Sequence, residues 1–168
     1  LVCGSVCHRP QQVPWHSQYH YKMEPIVYEV KTGDKAAPRI SVVIPLYNKV
    51  RWVARAIDSV LAQSYGNFEL IIVDDGSTDG SNAIFKDEMA DHENAIIITQ
   101  ENCGLGAARN TAAKNATGDW LVFLDADDFW SANKLAVLAA EIESNPEAEF
   151  VYHAIFERNP KGLLRERN

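Results

Sequence analysis

Five aspartates fall into two tight groups, Asp74-Asp75 and Asp125-Ala126-Asp127-Asp128, each directly after a short apolar run. Carboxylates gathered in one place repel one another, and a divalent cation is the simplest compensation. Oxygen donors of this kind suit magnesium or manganese, not a thiol-seeking metal. Aspartate also caps helices and shapes turns, and Asp74 and Asp128 each suit that purely structural role. Two groups placed alike after buried runs favour a functional reading. A third segment, Pro45-Leu46-Tyr47-Asn48, follows another apolar run. A fourth, Asn102-Cys-Gly-Leu-Gly-Ala-Ala-Arg-Asn110, offers glycines that permit close backbone approach to a ligand. It also offers Arg109 near the positive end of the helix that follows, a partner for a diphosphate.

The elements that must position these residues are legible in the apolar pattern. Ile40–Ile44 reads as a buried strand stopped by Pro45, and Glu69–Val73, Ala95–Thr99 and Trp120–Leu124 as three more. A fifth is expected over Glu149–His153. Residues 51–64 show helical spacing, with Val53, Ile57, Val60, Leu61 and Ser64 on one face and Gly66 closing the helix. Further helices are expected over 80–90, over 105–116 with Gly118 ending it, and from an N-cap at Ser131 to Ser144, with Leu135, Leu138, Ala139 and Ile142 on one face. Strands that are continuously apolar and alternate with helices belong to a parallel sheet covered on both faces. The expected fold class is therefore α/β, a three-layer, Rossmann-like sandwich. Ligands of open α/β sheets sit outside the carboxyl ends of the strands, where all these segments fall.

The chain has 168 residues, 46% of them hydrophobic, as expected of a folded domain. Its 16 basic and 23 acidic residues give a net charge of −7, a poor match for nucleic acid or an anionic membrane. No apolar run approaches the roughly 20 residues that cross a bilayer. Residues 1–40 carry 5 basic and 3 acidic side chains, whereas 41–168 carry 11 and 20, which suggests a boundary near residue 40. Residues 1–38 are expected to be a flexible leader and linker, with 39–168 as the folded domain. Cys3, Cys7, His16 and His20 resemble zinc-ligand spacing only superficially, because eight residues separate Cys7 from His16 where a finger wants about 12. Three cysteines make no disulfide framework, so a reducing compartment is expected.

Four segments, Ser41-Val-Val-Ile-Pro-Leu-Tyr-Asn48, Ile71-Ile-Val-Asp-Asp-Gly-Ser-Thr-Asp79, Asn102 to Asn110, and Gly118-Asp-Trp-Leu-Val-Phe-Leu-Asp-Ala-Asp-Asp128, resemble in order and spacing the family 2 glycosyltransferases. The resemblance covers about residues 39–155 and implies the nucleotide-sugar-binding half of the glycosyltransferase A-type fold. It implies inverting transfer of a sugar from a nucleotide diphosphate, a UDP-sugar, to the hydroxyl of a carbohydrate or lipid-linked acceptor. The setting it implies is cell-envelope polysaccharide synthesis, in the cytoplasm or at the inner face of the membrane. The implied nucleotide site comprises Pro45, Tyr47, Asn48, Asp74, Asp75, Gly104, Arg109, Asp125 and Ala126. Within it, Tyr47 lies beside the base and Asp75 accepts a hydrogen bond from it. Asp125 and Asp127 match the Asp-x-Asp motif that reaches Mg2+ or Mn2+.

Complete members of that family continue well beyond position 168, and their later portion supplies the acceptor site and the general base. No base is assigned here, and the isolated chain is expected to bind donor without transferring sugar. A non-catalytic nucleotide-sugar-binding module is the main alternative. A nicotinamide-cofactor enzyme is a remote one: Gly104-Leu-Gly106 opens a helix and Asp125 lies about 20 residues on, but Arg109 stands where the third glycine belongs. A phosphotransferase using Asp125 as nucleophile is a third, opposed by Phe129 where such enzymes carry Thr or Val.

Overall fold

The computed structural model describes residues 37–88, 92–151, 156–158 and 164–166. The expected leader, with Cys3, Cys7, His16 and His20, lies outside these residues. Four strands, β1 (Ile40–Leu46), β2 (Phe68–Asp74), β3 (Ala95–Thr99) and β4 (Trp120–Phe123), alternate with four helices, α1 (Val53–Leu61), α2 (Ser81–Glu88), α3 (Leu105–Asn115) and α4 (Lys134–Ser144). The strands form one parallel sheet in the order β3-β2-β1-β4.

Successive side chains of a strand point to opposite faces, and both faces of this sheet are covered. Ile40, Val42, Ile44, Leu46, Leu70 and Ile72 pack with Val53, Ile57 and Val60 of α1, Phe85 of α2, and Leu135, Leu138 and Ala139 of α4. On the opposite face Val43, Ile71 and Val73 pack with Ala108 and Ala112 of α3. This is the expected three-layer α/β/α sandwich. The small alanines let α3 sit close to the sheet, which brings its first turn up to the strand ends.

Several boundaries differ from the expected ones, each for a tertiary reason. β1 runs through Pro45 to Leu46. The Leu124 N–H donates to the Val43 carbonyl, so odd positions of β1 face β4. The amide that Pro45 lacks would point past Phe123, where β4 has already ended, and no ladder bond is lost. α1 stops at Leu61, before Gly66, because the Ser64 N–H leaves to donate to the Ala132 carbonyl at 2.8 Å. Ser64 is consequently exposed and outside the helix. α3 likewise ends at Asn115, before Gly118. α4 begins at Lys134 and is not capped by Ser131. Gln63 does that work from a distant loop: its Oε1 accepts the Leu135 N–H and its Nε2 donates to the Ser131 carbonyl, both at 2.8 Å. Glu149–Val151 is not strand, and the rest of the expected fifth strand lies outside the described residues. A short antiparallel ribbon, β5 (Phe156–Arg158) with β6 (Leu164–Glu166), stands beyond it.

The amino end of the sheet is tied by a buried charge. Glu69 Oε1 accepts bonds from the Ser41 hydroxyl and from the Thr117 and Gly118 N–H groups, and Oε2 accepts the Thr117 hydroxyl at 3.0 Å. The Arg39 guanidinium approaches to 3.9 Å. Burial pushes the Glu69 carboxyl up, but these donors outweigh it and hold the group below the usual carboxylate range. Gly118 is required here by space. A Cβ on it would lie 2.5 Å from the Ser41 hydroxyl and 2.8 Å from the Arg39 carbonyl oxygen.

Candidate functional site

At the carboxyl edge of the sheet an open cleft of about 450 Å3 is lined by Pro45, Leu46, Tyr47, Lys49, Asp75, Asn102, Gly104, Leu105, Ala108, Asp125, Ala126 and Asp127. It lies over the neighbouring ends of β1 and β4, where the strand order reverses and open sheets of this kind bind ligands. The glycine turn follows the edge strand β3 and not a strand at this reversal. That is the wrong place for a dinucleotide fingerprint, and the nicotinamide reading finds no support in the topology.

Of the residues expected to bind nucleotide, Pro45, Tyr47, Asp75, Gly104, Asp125 and Ala126 line the cleft, and so does Asp127. Tyr47 is half exposed at the cleft. Asp75 is buried, and its carboxylate gathers the 100–104 loop. Oδ1 accepts the Gln100 side-chain amide at 2.6 Å and the Cys103 N–H at 2.9 Å, and Oδ2 accepts the Gly104 N–H at 2.7 Å. Gln100 is itself held by the Thr111 hydroxyl, which donates to its Oε1 at 2.6 Å. Burial raises the Asp75 pKa, but the Cys103, Gln100 and Gly104 donors lower it further and leave the carboxyl below its usual range. Gly104 has φ +86°, a conformation that side chains resist, and this turn aims its N–H at Asp75. The first turn of α3 begins there, so the helix's positive end faces the cleft.

Three expected site residues do not line the cleft. Asp74 is buried, and its Oδ1 accepts the Ser77 N–H at 2.9 Å, the turn-forming role that aspartate takes after a strand. Asn48, at φ +51°, accepts the Thr78 N–H at 2.8 Å and ties the β1 exit to the 77–81 turn. Arg109 lies behind the lining. It donates to Asp125 Oδ1 at 3.0 Å, stacks 5.3 Å from the Phe123 ring, and keeps a buried Nε without a hydrogen-bond partner.

The expectation that five carboxylates converge unpaired is corrected at four of them by these contacts. Asp74 accepts a backbone N–H, Asp75 accepts two backbone N–H groups and the Gln100 amide, Asp125 pairs with Arg109, and Asp127 pairs with Lys49, whose Nζ lies 2.6 Å from Oδ2. The Lys49 bond holds the Asp127 carboxyl below its usual range, against the opposing effect of burial. Among the described residues no three His, Cys, Asp or Glu side chains are grouped to hold a metal. The residues that suit a hard cation are therefore few. Asp127, its side chain 45% exposed at the cleft, offers one carboxylate, and Asp125 stands two residues away. Magnesium-like ions fit such a place, because they bind through one or two carboxylates together with substrate phosphates and water.

Lys49 was missed in the sequence although it directly follows Asn48, as the one cation in a strand-end cluster. Arg55 was also missed. It stacks 4.3 Å from Phe129 and donates to the Asp127 carbonyl at 3.4 Å, and nothing in its local sequence marks it.

The model of the family described as "Glycosyl transferase family 2" matches residues 41–168. The glycosyltransferase GlyA of Streptococcus pneumoniae is 38% identical over 104 residues, which cover 62% of this chain and 15% of GlyA. The chain spans between 15% and 44% of the length of the curated relatives it matches. Staphylococcus aureus TarS in complex with UDP superposes with a TM-score of 0.61 at 30% identity, over 64% of this chain and 33% of that one. The mannosyltransferase PcManGT of Pyrobaculum calidifontis, in complex with GDP-Man and Mn2+, superposes with a TM-score of 0.60 at 29% identity, over the same 64% and 33%. No helix among the described residues is long and apolar enough to cross a membrane. A parallel sheet with an acid-lined cleft at its strand reversal, matched over most of its length by one family model, identifies this chain as a member of glycosyl transferase family 2.

Proposed function

We propose that the cleft binds the nucleotide-diphosphate end of a sugar donor, a UDP-sugar, and that the chain is the donor-binding part of an inverting glycosyltransferase. The observation that carries this reading is the convergence of Tyr47, Asp75, the positive end of α3, and the Asp125–Asp127 segment on one cleft. The hydrogen-bond count at Asp75 supports the base. Two carboxylate oxygens offer about four acceptor sites, and three are taken, leaving one on Oδ2. Held ionised, Asp75 can only accept, so it favours a base that presents an N–H, as uracil and guanine do. Adenine and cytosine present a ring acceptor at the corresponding position and are disfavoured. Tyr47 flanks the base, the α3 N-terminus faces the diphosphate, and Arg109 supports Asp125 from behind the cleft lining.

Asp127, with Asp125 beside it, would hold a Mg2+ or Mn2+ ion shared with the diphosphate. When bound, that ion offsets the negative charge gained by the departing nucleoside diphosphate. The chain's own residues bind and orient the donor so that the anomeric carbon faces the open side of the cleft. The hydroxyl that attacks it belongs to a carbohydrate or lipid-linked acceptor, a partner that rests on the family likeness. Titration calorimetry with UDP, GDP, ADP and CDP, with and without Mn2+, tests this. The reading predicts binding of UDP strengthened by Mn2+, and loss of that strengthening in Asp127→Asn with the fold intact. Preference for a nicotinamide dinucleotide, or identical binding with and without Mn2+, overturns it.

A further inference from the structure

We infer that Lys49 is an exchangeable counter-ion: it occupies Asp127 while the cleft is empty and transfers its ammonium to the donor's diphosphate when the metal takes the carboxylate. This rests on the donor-site reading above and goes beyond it, because it assigns Lys49 a role in both states and orders the events.

Three observations carry it. First, the Lys49 Nζ sits 2.6 Å from Asp127 Oδ2, on the carboxylate best placed to receive a cation. A divalent ion on that carboxylate would put a second positive charge within a few ångströms of the ammonium, and the two repel. Second, the base of Lys49 is fixed while its head is free to swing. Its N–H donates to the Ser81 hydroxyl at 3.2 Å, and its neighbours are pinned to the same turn, Asn48 N–H to Ser77 Oγ and Val50 N–H to Asp79 Oδ2. The four-carbon stem above that anchor carries a compact, mobile charge that makes no demand for a planar partner. Arg109 behaves differently: it is stacked on Phe123 and bound to Asp125, a fixed support. Third, the ion pair is cheap to break. Both side chains are substantially exposed, 39% for Lys49 and 45% for Asp127, and exposed pairs contribute little. A divalent ion outcompetes a half-solvated ammonium there, and the phosphate oxygens arriving with it give the displaced ammonium a new partner inside the same cleft. The cleft's charge is thus balanced in both states without a rearrangement of the backbone.

The consequence is a split in sign. Removing the ammonium should help the metal alone and harm the metal-bound nucleotide. The experiment uses the whole chain and compares wild type, Lys49→Met and Asp127→Asn. Free Mn2+ is followed by electron paramagnetic resonance during titration, first with Mn2+ alone and then with Mn2+ and whichever of UDP and GDP binds the wild type more tightly. For Lys49→Met the expected result is Mn2+ binding about two- to fivefold tighter, as the loss of an exposed pair allows. The same variant should bind the Mn2+–nucleotide about tenfold weaker or worse, as the loss of a charge-assisted bond predicts. Asp127→Asn should weaken both. If Asp127→Asn weakens both but Lys49→Met leaves Mn2+ affinity unchanged or lower, the exchange is wrong and the donor site stands. If Lys49→Met tightens Mn2+ but leaves the nucleotide unaffected, transfer to the diphosphate is wrong. If Asp127→Asn changes neither, or no nucleotide binds the wild type, the donor-site reading itself fails and the exchange falls with it.

Discussion

Asp75→Asn separates the structural and recognition roles that meet in one side chain. The substitution keeps shape and removes the charge. The amide oxygen can stand where Oδ1 accepts Gln100 and Cys103, which places the amide nitrogen at the Oδ2 position, facing the Gly104 N–H. A donor then meets a donor in a buried place. One charge-assisted bond is lost and one backbone N–H is left unsatisfied, so the cost is about 2–4 kcal/mol. For a chain of this size that is a fall in melting temperature of roughly 4–16 °C. The variant also inverts the group offered to the base. An N–H now faces the cleft where the carboxylate offered an acceptor, so the preference for UDP should collapse and CDP should gain relative to it. Differential scanning calorimetry and parallel titrations with UDP and CDP measure the two effects on one preparation. A variant that melts with the wild type and keeps its nucleotide order would refute both the hydrogen-bond accounting and the base-reading role.

Two further predictions concern the amino end of the sheet. Glu69→Gln removes a carboxylate whose pKa is depressed in the fold. Such a group contributes stability that is fully present above the usual glutamate range and is lost as pH falls through the lowered value. The variant should therefore be less stable at neutral pH, and its stability should fall less steeply on acidification; equal acid-unfolding curves would contradict this. Gly118→Ala forces a methyl group against the Ser41 and Arg39 backbone and should cost about 1–3 kcal/mol in denaturant unfolding. An unchanged midpoint would show that the 115–120 loop has room to move.

The layered architecture was legible because the mostly apolar runs at 40–44, 69–73, 95–99 and 120–124, alternating with helical segments, point to a sheet covered on both faces. Strand-end segments were legible for the same reason, since parallel strands bring their carboxyl ends to one edge. Helix limits were not, because distant partners set them. Gln63 caps α4 from across the chain, and Ala132 draws Ser64 out of α1. The difference between Asp74 and Asp75 was equally hidden. Adjacent residues at a strand end point opposite ways, and only the folded turn shows Asp74 holding Ser77 while Asp75 reaches the cleft. Counting carboxylates also overstated the bare negative charge, because Lys49 and Arg109 arrive from other segments to neutralise it.

The central claim is that a nucleoside diphosphate and a divalent ion meet at the Asp125–Asp127 end of this cleft. Paramagnetic broadening locates the ion directly. With the isotope-labelled chain, a substoichiometric addition of Mn2+ with UDP should broaden the amide signals of Tyr47, Lys49, Gly104, Ala126 and Asp127. Those of Thr117 and Gly118 at the opposite edge of the sheet should stay sharp. Broadening centred away from Asp127, or uniform broadening unaffected by UDP, would contradict the account.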